Sequence, residues 1–372
     1  LSLPLLLSAC GGGGGGSGGA ASYTVTNCND SGTSYQTTEY KYMSYGVSGT
    51  YNPLKFVCAS AAYARGATGD GIKVAVLDTG VKTANAGSST NTDHYELGNV
   101  VNFTSGSDAV NSDNTPNDDQ GHGTHVAGII AAERGDGSMH GVAYEADLYI
   151  FKNINAAGSS TTTIMKTAMQ KAIAADVDII NNSYGWADDG SGGYAGDKFL
   201  GSSDCNSASS CETTIGSAFY TQIEAAGAAG IINVWAAGNE ANANPLAVGG
   251  SAIYDNDFKE TTVIVVATDT YTGYGGGNKI ASYSNKCGLA AAICIAAPGS
   301  TVWSSTYTST TSHGYKSGTS MAAPLVAGGL AIIKQEFSSL TNAQVVDRLF
   351  ATATDSSEFS QTSIYGHGMM NL

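Results

Sequence analysis

The chain has 372 residues, of which 42% are hydrophobic and only 13% charged, with 49 glycines and a formal net charge of −15. That is ample apolar material for a large core, and the acidic balance speaks against a nucleic-acid partner and against adhesion to acidic membranes. No run of about 20 apolar residues occurs, the length a membrane-spanning helix needs. In chain order, residues 1–10 (Leu-Ser-Leu-Pro-Leu-Leu-Leu-Ser-Ala-Cys) lack an initiator Met and a basic segment, and read as the tail of a secretory signal. Residues 11–19 are glycine with one serine, a flexible coil that would span roughly 15–18 Å root-mean-square.

Residues 20–60 are rich in Tyr, Thr and Ser without a helical period, and read as an ordered extension packed on the domain downstream of them. Ile72–Leu77 is a short apolar, β-branched run that Thr79-Gly80 breaks, which predicts a buried strand with Asp78 at its carboxyl end. A long polar loop over 82–120 contains the acidic stretch Asp108–Asp119, whose oxygens are candidate Ca²⁺ ligands, a solvated acidic loop being the alternative. Gly121-His122-Gly123-Thr124-His125 then opens a helical pattern, with His122 at its start and His125 turned inward as a structural residue.

A strand over 146–151, a helix over Thr162–Ala175 and a strand over 177–181 lead to Asn182-Ser183-Tyr184-Gly185. A glycine-rich insertion follows over 185–212. A helix over Thr214–Ala229 feeds a strand over 231–235 and the segment Ala236-Ala237-Gly238-Asn239-Glu240. Val263–Ala267 and Ile293–Ala297 read as further strands, Ser320–Glu336 as an apolar helix and Thr341–Thr352 as a surface helix. Alternating strands and helices predict an α/β fold, a mostly parallel sheet with helices on both faces.

Ser320 stands at the mouth of its helix, where the first N–H groups have no intrahelical partner and the dipole is positive. Alone it is a capping serine, as Asp78 alone is a turn residue and His122 a packed imidazole. Together they supply a hydroxyl, a base to deprotonate it and a carboxylate to fix the base's tautomer, in the order Asp–His–Ser.

Val74–Gly80, Gly121–Gly128 and Gly318–Pro324 resemble the signature blocks of the subtilisin-like serine proteases, and the similarity runs from about Ala61 to Leu372. The resemblance implies that Asp78, His122 and Ser320 form a catalytic triad, that Asn239 completes the oxyanion hole, and that Ser183, Tyr184 and Gly185 with Ala236, Ala237 and Gly238 line the substrate cleft. It implies a serine endopeptidase acting through an acyl-enzyme on protein or peptide substrates, needing no cofactor for chemistry, with structural Ca²⁺ common in the family. It places a peptidase domain at 61–372. A silent surface adhesin on a protease scaffold is the competing reading.

Leu7-Ser8-Ala9-Cys10 resembles a bacterial lipobox, with Cys10 as the lipidated residue and the glycine run as a tether. An ordinary signal remnant with a low-complexity linker is the alternative. The first reading predicts an exported protein at the outer membrane or cell surface, touching the membrane only through its lipid. Surface-exported relatives of the autotransporter type often continue into a membrane barrel. With Cys10 lipidated, six cysteines remain, and sequential pairing is expected: Cys28–Cys58, Cys205–Cys211 and Cys287–Cys294.

Overall fold

Alternation within each strand organises the molecule. In the computed structural model, residues 35–42, 52–82, 94–101, 107–135, 138–185, 198–269, 279–356 and 358–372 are described. Cys10, the glycine tether, Cys28 and residues 186–197 of the insertion after Gly185 lie outside them. The elements are α1 (Thr38–Tyr42), α2 (Pro53–Phe56), α3 (Ala59–Tyr63), β1 (Lys73–Asp78), α4 (His122–Ala131), β2 (Asp147–Lys152), α5 (Thr162–Ala174) and β3 (Ile179–Asn182). They continue with α6 (Ala208–Ile215), α7 (Ser217–Ala228), β4 (Ile232–Ala236), α8 (Ala247–Gly250), α9 (Asn256–Lys259), β5 (Thr262–Asp269), β6 (Lys279–Ile280), β7 (Cys294–Pro298), β8 (Val302–Ser305) and β9 (His313–Lys316). Last come α10 (Thr319–Glu336), α11 (Asn342–Thr352) and α12 (Thr362–Tyr365).

The main sheet has seven strands in the order β2-β1-β3-β4-β5-β6, with β7 also paired to β5. Every pairing in it is parallel except that of β6. Along β1, Val74 and Val76 enter one core and Ala75 and Leu77 the other; Val263, Val265 and Ala267 of β5 divide from Ile264 and Val266 in the same way. A strand covered on both faces must be apolar throughout, which is why these segments read as unbroken hydrophobic runs. The first core is roofed by α4, α10 and α11, the second by α5, α6, α7 and α8. The fold is the α/β architecture expected.

Three local expectations need correction. The helix expected over 214–229 is two helices, because Gly216 at φ 92° breaks the chain there. Upstream, the Ser207 side chain accepts from Ser210 N–H in a capping box that starts α6 well before residue 214. The hairpin β8–β9 was not foreseen: strands of four residues are too short to show a period. The expected division between residues 60 and 61 falls inside α3, and Tyr40, Leu54, Val57 and Tyr63 share the first core with α4 and α10. The described part of the N-terminal segment is thus a wall of that core, tied in by Tyr63 Oη, which donates to Val142 O at 2.7 Å.

Cys205 is bonded to Cys211 and Cys287 to Cys294, with Cα separations of 4.2 and 5.7 Å. Cys58 is disulfide-bonded as well, its expected partner Cys28 lying outside the described residues.

α10 is the central helix: Met321 to Ile333 is buried without interruption, against α4 on one side and β3, β4, β5 and β7 on the other. Leu330→Ala removes a wholly buried side chain from it. The expected cost is about 2–5 kcal/mol, read as a lowered midpoint in equilibrium urea unfolding.

Candidate active site

Parallel strands bring their carboxyl ends to one edge, where α/β sheets build sites. The register row Leu77–Asn182–Trp235 runs across β1, β3 and β4. One residue further on, the three strands present Asp78, Ser183 and Ala236. The side chain of Asp78 is completely buried, whereas that of His122 keeps 24% exposure, so the imidazole covers the carboxylate and faces the solvent. His122 Nδ1 lies 2.8 Å from Asp78 Oδ1 and 3.0 Å from Oδ2. With the carboxylate ionised, Nδ1 carries the hydrogen and Nε2 the lone pair.

His122 is delivered to that spot by the way α4 begins. A Cβ on Gly123 would stand 2.2 Å from Gly80 O, so only glycine lets the first turn of α4 close on the end of β1. Asp118 takes over the capping. Its Oδ1 accepts from Gln120 N–H, Gly121 N–H and Thr79 Oγ, its Oδ2 from Thr124 N–H and Thr124 Oγ. Thr79 Oγ in turn accepts from Gly123 N–H at 2.8 Å. The sequence reasoning missed Asp118 and Thr79, because a carboxylate inside an acidic loop carries no local mark of such a role.

Ser320 sits in the first turn of α10. Pro324, four residues on, has no N–H, so the carbonyl of Ser320 lacks its helical donor. Ser183 Oγ fills the gap, donating to Ser320 O at 3.1 Å, and Ser320 Oγ donates to Ser183 O at 2.8 Å. Asn181 Nδ2 donates to Ser183 Oγ at 2.8 Å and holds that hydroxyl in place. The serine hydroxyl therefore rests on Ser183, and no hydrogen bond joins it to His122 among the described contacts. Rotation about its Cα–Cβ bond is what frees it from this nearest acceptor.

Asn239 approaches from the segment after β4. Its Oδ1 accepts from Thr319 N–H at 2.9 Å and from Thr319 Oγ at 3.1 Å. Nδ2 is thereby left as the outward donor, beside a Ser320 N–H that the helix cannot satisfy. Two donors thus converge at the helix mouth.

The structure divides the expected cleft residues into two kinds. The backbone of Gly185 makes no hydrogen bond among the described residues, and a Cβ there would stand 2.0 Å from Leu246 Cδ1. Tyr184 is buried and donates from Oη to Asn182 Oδ1, so it supports the floor rather than facing a ligand. Ala237 N–H donates to Val265 O, while Ala237 O accepts from Leu246 N–H and Asn285 Nδ2. Gly238 N–H donates to Thr319 Oγ, and Gly238 O accepts from Asn285 N–H. Ala237 and Gly238 are accordingly a wall with their backbone polar atoms occupied.

His125 is buried, with Nε2 3.1 Å from Gly314 O, and burial pushes its pKa down to about 3. It is a neutral structural residue, as expected. The carboxylates of the acidic stretch are tied to the chain around them. Asp118 is filled by five donors, Asp119 Oδ1 accepts from the buried Lys152, Asp113 Oδ1 accepts from Thr115 N–H, and Asp108 takes Val110 N–H, Asn111 N–H and Asn111 Nδ2.

Comparison with known proteins agrees with this geometry. The profile of the Subtilase family matches residues 69–368. Subtilisin Savinase of Lederbergia lenta is 33% identical over 315 residues, covering 85% of this chain and 94% of its own. Subtilisin NAT of Bacillus subtilis subsp. natto is 31% identical over 316 residues, with 84% and 68% covered. An alkaline protease of Alkalihalobacillus alcalophilus is 33% identical over 315 residues, with 85% and 67% covered.

Burial alone would depress the basicity of His122; the charge of Asp78 and its hydrogen bond outweigh burial and raise the pKa above the ordinary 6.5. An NMR titration of the His122 ring protons should give a midpoint above 6.5 in the native protein. In Asp78→Asn, where burial and the nearby Lys316 act without that charge, it should fall below 6.5.

Proposed function

The chain belongs to the subtilase family, and we propose that Asp78, His122 and Ser320 are its catalytic triad, with Asn239 in the oxyanion hole. The enzyme is a serine endopeptidase. The reading of the site rests on one observation: a wholly buried carboxylate grips the solvent-facing imidazole at 2.8 Å, on the sheet edge where Ser320 is moored to Ser183.

Chemistry follows from the atoms. Ser320 Oγ turns from Ser183 O and attacks the scissile carbonyl as His122 Nε2 takes its proton. Asp78 keeps Nδ1 protonated and stabilises the imidazolium. Negative charge gathers on the carbonyl oxygen, between Asn239 Nδ2–H and Ser320 N–H, donors already oriented before the substrate arrives. The imidazolium then protonates the leaving amine, the acyl group stays on Oγ, and a water activated by the same nitrogen releases it. An extended substrate pairs with the backbone at Gly185, with Ala236–Gly238 as the facing wall.

We also read the chain as exported and tethered at the outer membrane or cell surface. The support is the leucine run, Cys10 and the glycine tether. In cells fed labelled palmitate, the intact protein should carry label and Cys10→Ala should not; equal labelling of both defeats the tether.

Ser320→Ala should abolish peptide hydrolysis and labelling by a fluorophosphonate probe, and a silent adhesin would leave the probe unbound in the native protein too. Asn239→Ala should lower kcat about 10²–10³-fold with KM little changed. Since only neutral His122 can act as base, activity should fall with acidity through the raised pKa, giving kcat/KM an acid limb above 6.5. A profile still rising toward pH ~4 contradicts the assignment.

A further inference from the structure

Away from the triad, His94, Glu96 and His313 form the one group of metal-ligating side chains among the described residues whose donor atoms all lie within 4.8 Å of one another. His94 and Glu96 belong to the 3₁₀ turn around Tyr95–Leu97, and His313 opens β9. Glu96 Oε2 stands 2.7 Å from His313 Nε2 and 4.0 Å from His94 Nδ1. The side chains of His94 and Glu96 are completely buried; that of His313 keeps 8% exposure and marks the side from which an ion enters.

The atom that decides the matter is His94 Nδ1. His94 Nε2 lies 2.9 Å from Ser312 O and must carry the hydrogen. In the neutral ring the lone pair is then on Nδ1, and that atom is buried with no hydrogen-bond partner. A hydrogen bond from His313 to Glu96 explains two members of the group and leaves this nitrogen unexplained. An imidazole whose far nitrogen donates to a backbone carbonyl while the near one points at a carboxylate and a second imidazole has the outer-shell arrangement of a metal ligand. His313 is held likewise, its ring stacked on Trp303 with centroids 5.8 Å apart. Glu96 Oε1 accepts from Met139 N–H at 3.2 Å and Oε2 from Ser305 Oγ at 2.9 Å, which fixes the carboxylate.

We propose that His94 Nδ1, Glu96 Oε2 and His313 Nε2 form a binding site for a divalent transition ion of the zinc class, with water as the fourth ligand. Two nitrogens and one oxygen suit zinc, whereas calcium takes six to eight oxygens. Ligands at 2.0–2.1 Å around a tetrahedral ion are roughly 3.3 Å apart. The observed separations of 2.7 and 4.0 Å from Glu96 Oε2 straddle that value, and the ligand atoms of the two histidines lie within 4.8 Å of one another, so shifts of about 1 Å per side chain close the site. The ion ties the 94–97 turn to the β8–β9 hairpin. That hairpin runs directly into Ser320, and Ser304 Oγ bonds it to His125 O in the helix of His122. The site is a staple beside the catalytic elements, with no part in the bond-breaking step.

The test uses the full chain carrying Ser320→Ala to prevent self-cleavage, stripped with a chelator and titrated with Zn²⁺ and Co²⁺. One Zn²⁺ per chain should bind by calorimetry, the thermal midpoint should rise on binding, and Co²⁺ should give the intense visible bands of four-coordinate cobalt. His313→Gln, at the partly exposed ligand, should weaken Zn²⁺ more than 100-fold, beyond the 10–100-fold typical of an outer-shell loss. His122→Ala should leave binding intact. No Zn²⁺ bound, six-coordinate cobalt, or affinity indifferent to His313→Gln but lost in His122→Ala overturns the proposal. The cobalt spectrum of the unaltered ligand set decides the case even if His313→Gln does not fold.

Discussion

A helix buried on every side has only its ends with which to meet water, and α10 is such a helix. Its first turn must place unsatisfied N–H groups and, because of Pro324, an unsatisfied carbonyl at the edge of the sheet. Neighbouring chain answers both needs. Asn239 Oδ1 takes Thr319 N–H, and Ser183 Oγ supplies Ser320 O. What is left over is the Ser320 N–H and the second end of the Asn239 amide, which is why donors for a developing oxyanion gather there. The proposed oxyanion hole would thus be the remainder of a capping problem that the protein solves for all but one N–H.

The same logic governs the opposite wall. Asp78 is charged, wholly buried and in contact with an imidazole, an arrangement that low dielectric makes costly unless the charge is hydrogen-bonded. Thr79 N–H donates to Asp78 Oδ1 at 2.8 Å, and His122 donates to both oxygens. The His122 contact does not hold unless α4 starts in the right place, which is the work of Asp118. One carboxylate therefore organises the backbone so that another can hold the His122 imidazole. Removing Asp118 would misplace His122 without touching it.

Legibility in the sequence followed the range over which each feature is encoded. The strand ending at Asp78, the helix opening at His122 and the apolar helix behind Ser320 are local, since an unbroken apolar run beside glycine identifies each. The proposed triad lies in those same short blocks, so the sequence alone suffices to propose it. Features built from distant partners could not. Asp118 reads as one acid among several until Thr79 and Thr124 are seen bonded to it. The hydrogen bonds that tie Ala237 to Val265, Leu246 and Asn285 are likewise invisible in the chain. Gly216 reads as a residue within a helix until its positive φ shows the break.

His94, Glu96 and His313 are the extreme of this kind: two of the three are adjacent in one turn, and the third is separated by 217 residues from Glu96. Their meeting also bears on how the site is kept rigid. β8 and β9 pair with each other and not with the main sheet. A two-stranded ribbon is weak by itself, yet this one leads into the turn that carries Ser320. Ser304 on α4, and Ser305 and His313 on Glu96, moor it to neighbouring elements. The precision of Ser320 therefore depends on attachments made to a hairpin outside the sheet. An ion drawing His313 and His94 onto Glu96 would act at the point where the scaffold has least regular structure of its own.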